Sequence, residues 1–143
     1  MVYARSANQG LQDKLRRGEV ALGLWVTLES APISEIAARI GLDWVCIDTE
    51  HSGLGLHDIT SHLRAINGSL TTGLGRIEGI EQGLIQKVLG MRAKGIVVPR
   101  IRTAEEIEQA VRFAKYPPRG SRGMGIERPT FGGSGALDVR RTN

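Results

Sequence analysis

Trp44-Val45-Cys46-Ile47-Asp48-Thr49-Glu50-His51 is an uncharged run that ends abruptly in two carboxylates and an imidazole. Its first half mixes aromatic and β-branched residues, as a strand buried on both faces requires. Asp48, Glu50 and His51 fall where such a strand must emerge. Folds built on parallel strands place their chemistry at the C-terminal strand ends. Asp48 and His51 stand three residues apart across a turn, a spacing that lets a carboxylate fix the imidazole tautomer for proton transfer. The same spacing suits a histidine that only ties down a loop, and both readings stand at this point.

Outward from this stretch, strand-like and helix-like segments alternate. Leu11 to Arg17 reads as a short leading helix and Val20 to Leu28 as the first strand. Ser30 and Pro32 then open a helix whose apolar positions Ile33, Ile36, Ala37 and Ile40 follow the helical stripe, with Gly41 as its stop. After the Trp44 strand, His57 to Ile66 reads as a helix with Ile59, Leu63 and Ile66 on one face and His57 and His62 exposed. Thr72 to Ile77 reads as a strand carrying Arg76 near its end. Its Gly73 and Gly75 lower strand propensity but permit close backbone packing. A helix from Ile80 to Leu89 and a short strand from Gly95 to Pro99 follow. Thr103 with Glu106 forms a capping box, and Ile107, Ala110, Val111 and Ala114 trace one helical face. From Tyr116 onward proline and glycine punctuate the chain, and no fifth strand is predicted. The pattern predicts an α/β fold of the parallel (β/α) barrel type, with four βα units over residues 19–128. Residues 1–18 precede them, and 129–143 read as a flexible tail.

The 143 residues, 41% hydrophobic and 24% charged, suit one globular domain. No apolar run approaches the roughly 20 residues of a membrane span, and Met1 to Gly18 is not signal-like, so a cytoplasmic protein is expected. Cys46, the single cysteine, reads as a small core residue and not as a nucleophile. The net charge of +4 comes mainly from scattered arginines with few aromatics between them, which argues against nucleic acid. Gly132-Gly133-Ser134-Gly135 follows no strand and precedes no strong helix, so it is a poor phosphate loop.

Three motifs in order carry a resemblance. Gly41-Leu42-Asp43-Trp44 leads into Ile47-Asp48-Thr49-Glu50-His51; then comes Gly95-Ile96-Val97-Val98-Pro99; then Lys115-Tyr116-Pro117-Pro118-Arg119-Gly120-Ser121-Arg122-Gly123. Together with Gly23-Leu24-Trp25 they resemble the HpcH/HpaI family of class II pyruvate aldolases over roughly Leu11 to Arg128. The resemblance implies a (β/α) barrel lyase that cleaves or forms the bond between pyruvate and an aldehyde in 4-hydroxy-2-oxo acids. It implies Asp48 and His51 as an acid/base dyad, and Arg76 as the group that contacts the pyruvate oxygen where enolate charge develops. It leaves Glu50 without a role.

The resemblance also implies a divalent metal, Mg, Mn or Co, held by a Glu and an Asp on the fifth and sixth strands. Those strands are not seen in this sequence, so no residue here is assigned as a metal ligand. A complete barrel runs to about 250 residues. Arg92 stands where the family usually has a small residue. Half a barrel exposes two sheet edges, so self-association into a homo-oligomer is expected. The alternative function is a non-catalytic half-barrel used for assembly or small-molecule binding.

Overall fold

The computed structural model describes residues 7–123. Along them run α1 (Ala7–Arg16), β1 (Gly23–Val26), α2 (Pro32–Arg39), β2 (Trp44–Asp48), α3 (Leu56–Ala65), β3 (Thr72–Arg76), α4 (Gln82–Gly90), β4 (Gly95–Val97) and α5 (Ala104–Ala114). The strands form one sheet in the order β1-β2-β3-β4, with every neighbouring pair parallel. Parallel neighbours need a crossover, and each crossover here is a helix. This is the alternation the sequence predicts, and it sends successive strand ends to one rim.

Register sorts the strand residues onto two faces. Trp25 pairs with Cys46, Cys46 with Leu74 and Asp48 with Arg76, so these five residues share one face. Val45 and Ile47 take the other, fully buried in one core with Ile59 of α3 and Ile85 and Val88 of α4. Gly73 and Gly75 also lie on this helix-facing side. A Cβ on Gly73 would come within 2.3 Å of Leu63, and one on Gly75 within 2.8 Å of Val88. The glycines that weaken β3 as a strand are therefore what lets α3 and α4 approach it. α1 marks the opposite end of the sheet from the C-terminal rim: Lys14 lies 2.9 Å from Asp43, just before β2, and Asp43 also accepts the Leu22 amide.

The local signals hold. Thr103 accepts the Glu106 amide while the Glu106 carboxylate accepts the Thr103 and Arg102 amides, closing the expected capping box on α5. Two apolar stripes are less buried than their period suggests. Ala37 and Ala110 are buried, but Ile36, Ile40, Ile107 and Val111 are exposed. Periodicity gives the apolar face of a helix but not the width of the surface that covers it. The described residues leave these outer positions about half covered or less.

His62 departs further from its sequence reading, being fully buried and not exposed. Its Nε2 lies 3.0 Å from the Leu28 carbonyl and its Nδ1 2.7 Å from Ser34 Oγ. A carbonyl only accepts, so Nε2 carries the proton and Nδ1 accepts from the serine. The ring thus joins α3, α2 and the β1–α2 connection. Burial lowers its pKa, while the bond to Leu28 and the Asp58 charge pull the other way. With the folded value below the unfolded one, the unfolded chain holds more protons. Stability is therefore expected to fall as pH drops from about 6.5 through the folded value. Urea unfolding at about pH 7.5 and about pH 5.5 checks this, with His62→Gln losing that part of the pH dependence. An identical dependence in parent and variant would refute it.

Arg92 shows what the departure at the α4–β4 turn costs. Its φ is 73°, in the left-handed region that glycine enters freely and an L side chain does not. Arg92→Gly is expected to raise stability by up to about 1 kcal/mol in thermal unfolding, despite the added freedom of the unfolded chain. A destabilised variant would mean that the arginine side chain offsets the strain through contacts of its own.

Candidate active site

β2 and β3 end side by side, and the chain beyond β2 folds around the Asp48 carboxylate. Asp48 is 2% exposed. Its Oδ1 accepts the amides of Glu50 at 2.9 Å and His51 at 3.1 Å, which shapes the turn that follows the strand. Its Oδ2 accepts Trp25 Nε1 at 2.8 Å and Arg76 Nη1 at 3.0 Å. Burial would raise this carboxyl's pKa, but hydrogen bonds from Trp25, the two amides and Arg76 outweigh it and hold the group down at about 2. Ser52 Oγ donates to the Asp48 carbonyl, and Thr49 donates twice to the Arg76 carbonyl, so the two strand ends are joined by main chain as well.

Arg76 stands between two carboxylates. Nη1 meets Asp48, Nη2 meets Glu50 Oε2, and the guanidinium carbon lies 5.6 Å from the Trp25 ring centroid. The Asp48 and Glu50 side chains are 3% and 5% exposed and that of Arg76 is 21%, so the guanidinium is bracketed from below and open on one side. Glu50 also faces Arg100, whose Nη2 lies 3.5 Å from Oε1 and donates to the Glu78 carbonyl at 2.6 Å. Arg100 holds a φ of 55°, at the C-terminal side of β4.

His51 completes the rim with a side chain 66% exposed. The expected pairing of its imidazole with Asp48 takes a different form. Asp48 binds the His51 main chain, while the ring Nε2 lies 3.5 Å from Glu50 Oε2. Asp48, His51 and Arg76 are thus gathered at one rim, together with Trp25, Glu50 and Arg100. Sequence reasoning assigned no role to those last three. The β1–β2 register reveals Trp25, which the Gly23-Leu24-Trp25 motif marked only as part of a strand.

Cys46 lies beneath this cluster. Burial first, and then the Asp48 charge, pushes its thiol up to about 12, which leaves it an inert core residue. The described carboxylates do not fit a metal site. A divalent ion needs oxygen ligands free of other partners, whereas Asp48 serves four donors and Glu50 two arginines. Among the described residues no three His, Cys, Asp or Glu side chains form a metal-holding group. No helix among them is long and apolar enough to cross a membrane.

Four parallel βα units with polar groups converging on the C-terminal rim define a segment of the (β/α) barrel class. The chain belongs to the HpcH/HpaI aldolase/citrate lyase family, which residues 21–139 match. It is 38% identical over 115 residues to the 2-keto-3-deoxy-L-rhamnonate aldolase of Escherichia coli K12, covering 80% of this chain and 43% of that protein. It is 37% identical over 130 residues to the hydroxypyruvate/pyruvate aldolase of Sagittula stellata, covering 90% and 51%. The crystal structure of a HpcH/HpaI aldolase/citrate lyase family protein from Burkholderia cenocepacia superposes with a TM-score of 0.76 at 33% identity, covering 92% of this chain and 52% of that one. The chain spans about half the length of the curated relatives it matches.

Proposed function

We propose that this chain supplies the acid/base and enolate-binding part of a pyruvate aldolase, a carbon–carbon lyase acting on 4-hydroxy-2-oxo acids. The observation that carries this reading is Arg76, fixed by two buried carboxylates, open on one side and sharing a rim with the exposed His51 imidazole. Cleavage asks for both groups. His51 takes the proton of the C4 hydroxyl, directly or through water, and the C3–C4 bond breaks as the aldehyde leaves. The bonding electrons pass toward the C2 oxygen, forming the pyruvate enolate, which is then protonated at C3. Arg76 faces the oxygen where that charge develops, a task suited to a fork of donors that stays protonated. Asp48 fixes Arg76 directly and holds the main chain of His51 through the turn.

The divalent ion expected from the resemblance, Mg, Mn or Co, belongs with carboxylates other than Asp48 and Glu50. The activity is therefore assigned to an assembly. Uncovered apolar side chains at Val20, Leu22, Trp25, Leu28, Ile36 and Ile40, and at Ile107 and Val111 on α5, support association with further chain, a second copy included. The test is pyruvate release from a 4-hydroxy-2-oxo acid with Mg²⁺, Mn²⁺ or Co²⁺, with and without chelator. This chain alone is expected to show little turnover, and adding the complementary C-terminal half of a relative to restore it. Strong chelator-sensitive turnover by the chain alone would sink this division of labour. A mixture that assembles but stays inactive would favour the non-catalytic half-barrel.

A further inference from the structure

The Asp48 carboxylate has no place left for the His51 ring. An ionised carboxylate offers about four acceptor positions, and Asp48 fills them with Trp25 Nε1, Arg76 Nη1 and the amides of Glu50 and His51. Glu50 is the opposite case. Its side chain is 5% exposed, and its Oε2 is in ionic contact with Arg76 Nη2 and lies 3.5 Å from His51 Nε2. Its Oε1 faces Arg100 across 3.5 Å. One buried carboxylate thus meets groups from the ends of three successive strands, β2, β3 and β4.

We infer that Glu50, and not Asp48, is the carboxylate that positions the His51 imidazole, and that it does so while clamping Arg76 and Arg100 at the rim. The inference rests on the aldolase reading for its catalytic consequence, but its geometric content stands without it. Nε2 of His51 points to Glu50, which leaves Nδ1, without a partner among the described residues, to exchange a proton with substrate. When His51 takes the hydroxyl proton the ring becomes cationic, and Glu50 is the buried counter-charge beside it. A buried carboxylate beside the ring suits this task, since the interaction strengthens as the imidazolium forms. Arg100 has a matching part. Its left-handed backbone and its bond to the Glu78 carbonyl hold a second guanidinium against Glu50. Glu50 is on this account a positioning residue, acting through His51 and Arg76.

The test uses Glu50→Gln, which keeps the shape and removes the charge, Glu50→Asp as the conservative replacement, and Asp48→Asn for contrast. The first measurement needs no activity. In the purified chain, nitrogen-resolved NMR follows rotation of the Arg76 guanidinium about its Nε–Cζ bond, which a carboxylate clamp slows. Glu50→Gln is expected to speed that rotation about tenfold or more, the loss of a charge-assisted bond, with the backbone amide spectrum otherwise preserved. The second measurement is steady-state aldol cleavage in the assembled enzyme. Glu50→Gln is expected to lower kcat by roughly 100-fold with KM for the keto acid changed far less, and Glu50→Asp to recover part of it. Arg76 rotation unaltered in Glu50→Gln, or turnover kept at the parent's level, overturns the inference. If the parent assembly shows no aldol chemistry while Arg76 responds as described, the clamp stands and the aldolase reading fails.

Discussion

Arg76→Ala is expected to cost about 3–5 kcal/mol of stability, the range for breaking a buried ion pair from one side. The substitution leaves Asp48 and Glu50, at 3% and 5% side-chain exposure, without the cation between them. Asp48 would keep Trp25 and two amides, whereas Glu50 would keep only exposed neighbours, Arg100 and the His51 ring. Urea unfolding near neutral pH measures the loss, and a midpoint unchanged from the parent's would show that the pair is not coupled to folding. Arg76→Lys separates the two duties of the residue. It restores a positive charge but cannot reach both carboxylates as a fork. Stability should partly return while aldol turnover in the assembled enzyme does not.

His51→Ala is expected to spare stability and to cost turnover. The ring is 66% exposed, so unfolding should change little, while turnover in the assembled enzyme should fall by roughly 100- to 10,000-fold, as when a positioned general base is removed. The comparison is made where chemistry limits the rate. A variant that keeps most of the parent's cleavage rate there would show that another group moves the hydroxyl proton. Of these two residues on one rim, Arg76 is thus expected to bear on folding and chemistry together, and His51 on chemistry alone.

What the sequence made legible follows the range of the interaction. Strand β2 and its polar end were readable because apolar composition and a sudden run of ionisable groups are local facts. The α5 cap was readable for the same reason, since Thr103 and Glu106 bond within one turn. His62 was not, because its partners Ser34 and Leu28 lie on other segments and nothing near it in sequence announces them. Trp25 and Arg100 reach the site only through the parallel register, which brings β1 and β4 to the rim on either side of β2 and β3. Asp48 and His51 meet through the His51 amide, not through the expected pairing with its ring. Which carboxylate faces the ring depended on counting the donors already spent on Asp48, and those come from three different segments.

The rim also has a charge balance. Two guanidinium groups, Arg76 and Arg100, stand against two carboxylates, Asp48 and Glu50, so with a neutral imidazole the described cluster carries no formal net charge. On the aldolase reading, an anionic keto acid would meet little long-range field from this cluster itself, and its capture there would depend on donors aimed at short range. Added salt, which weakens steering by a charged funnel, has little here to screen.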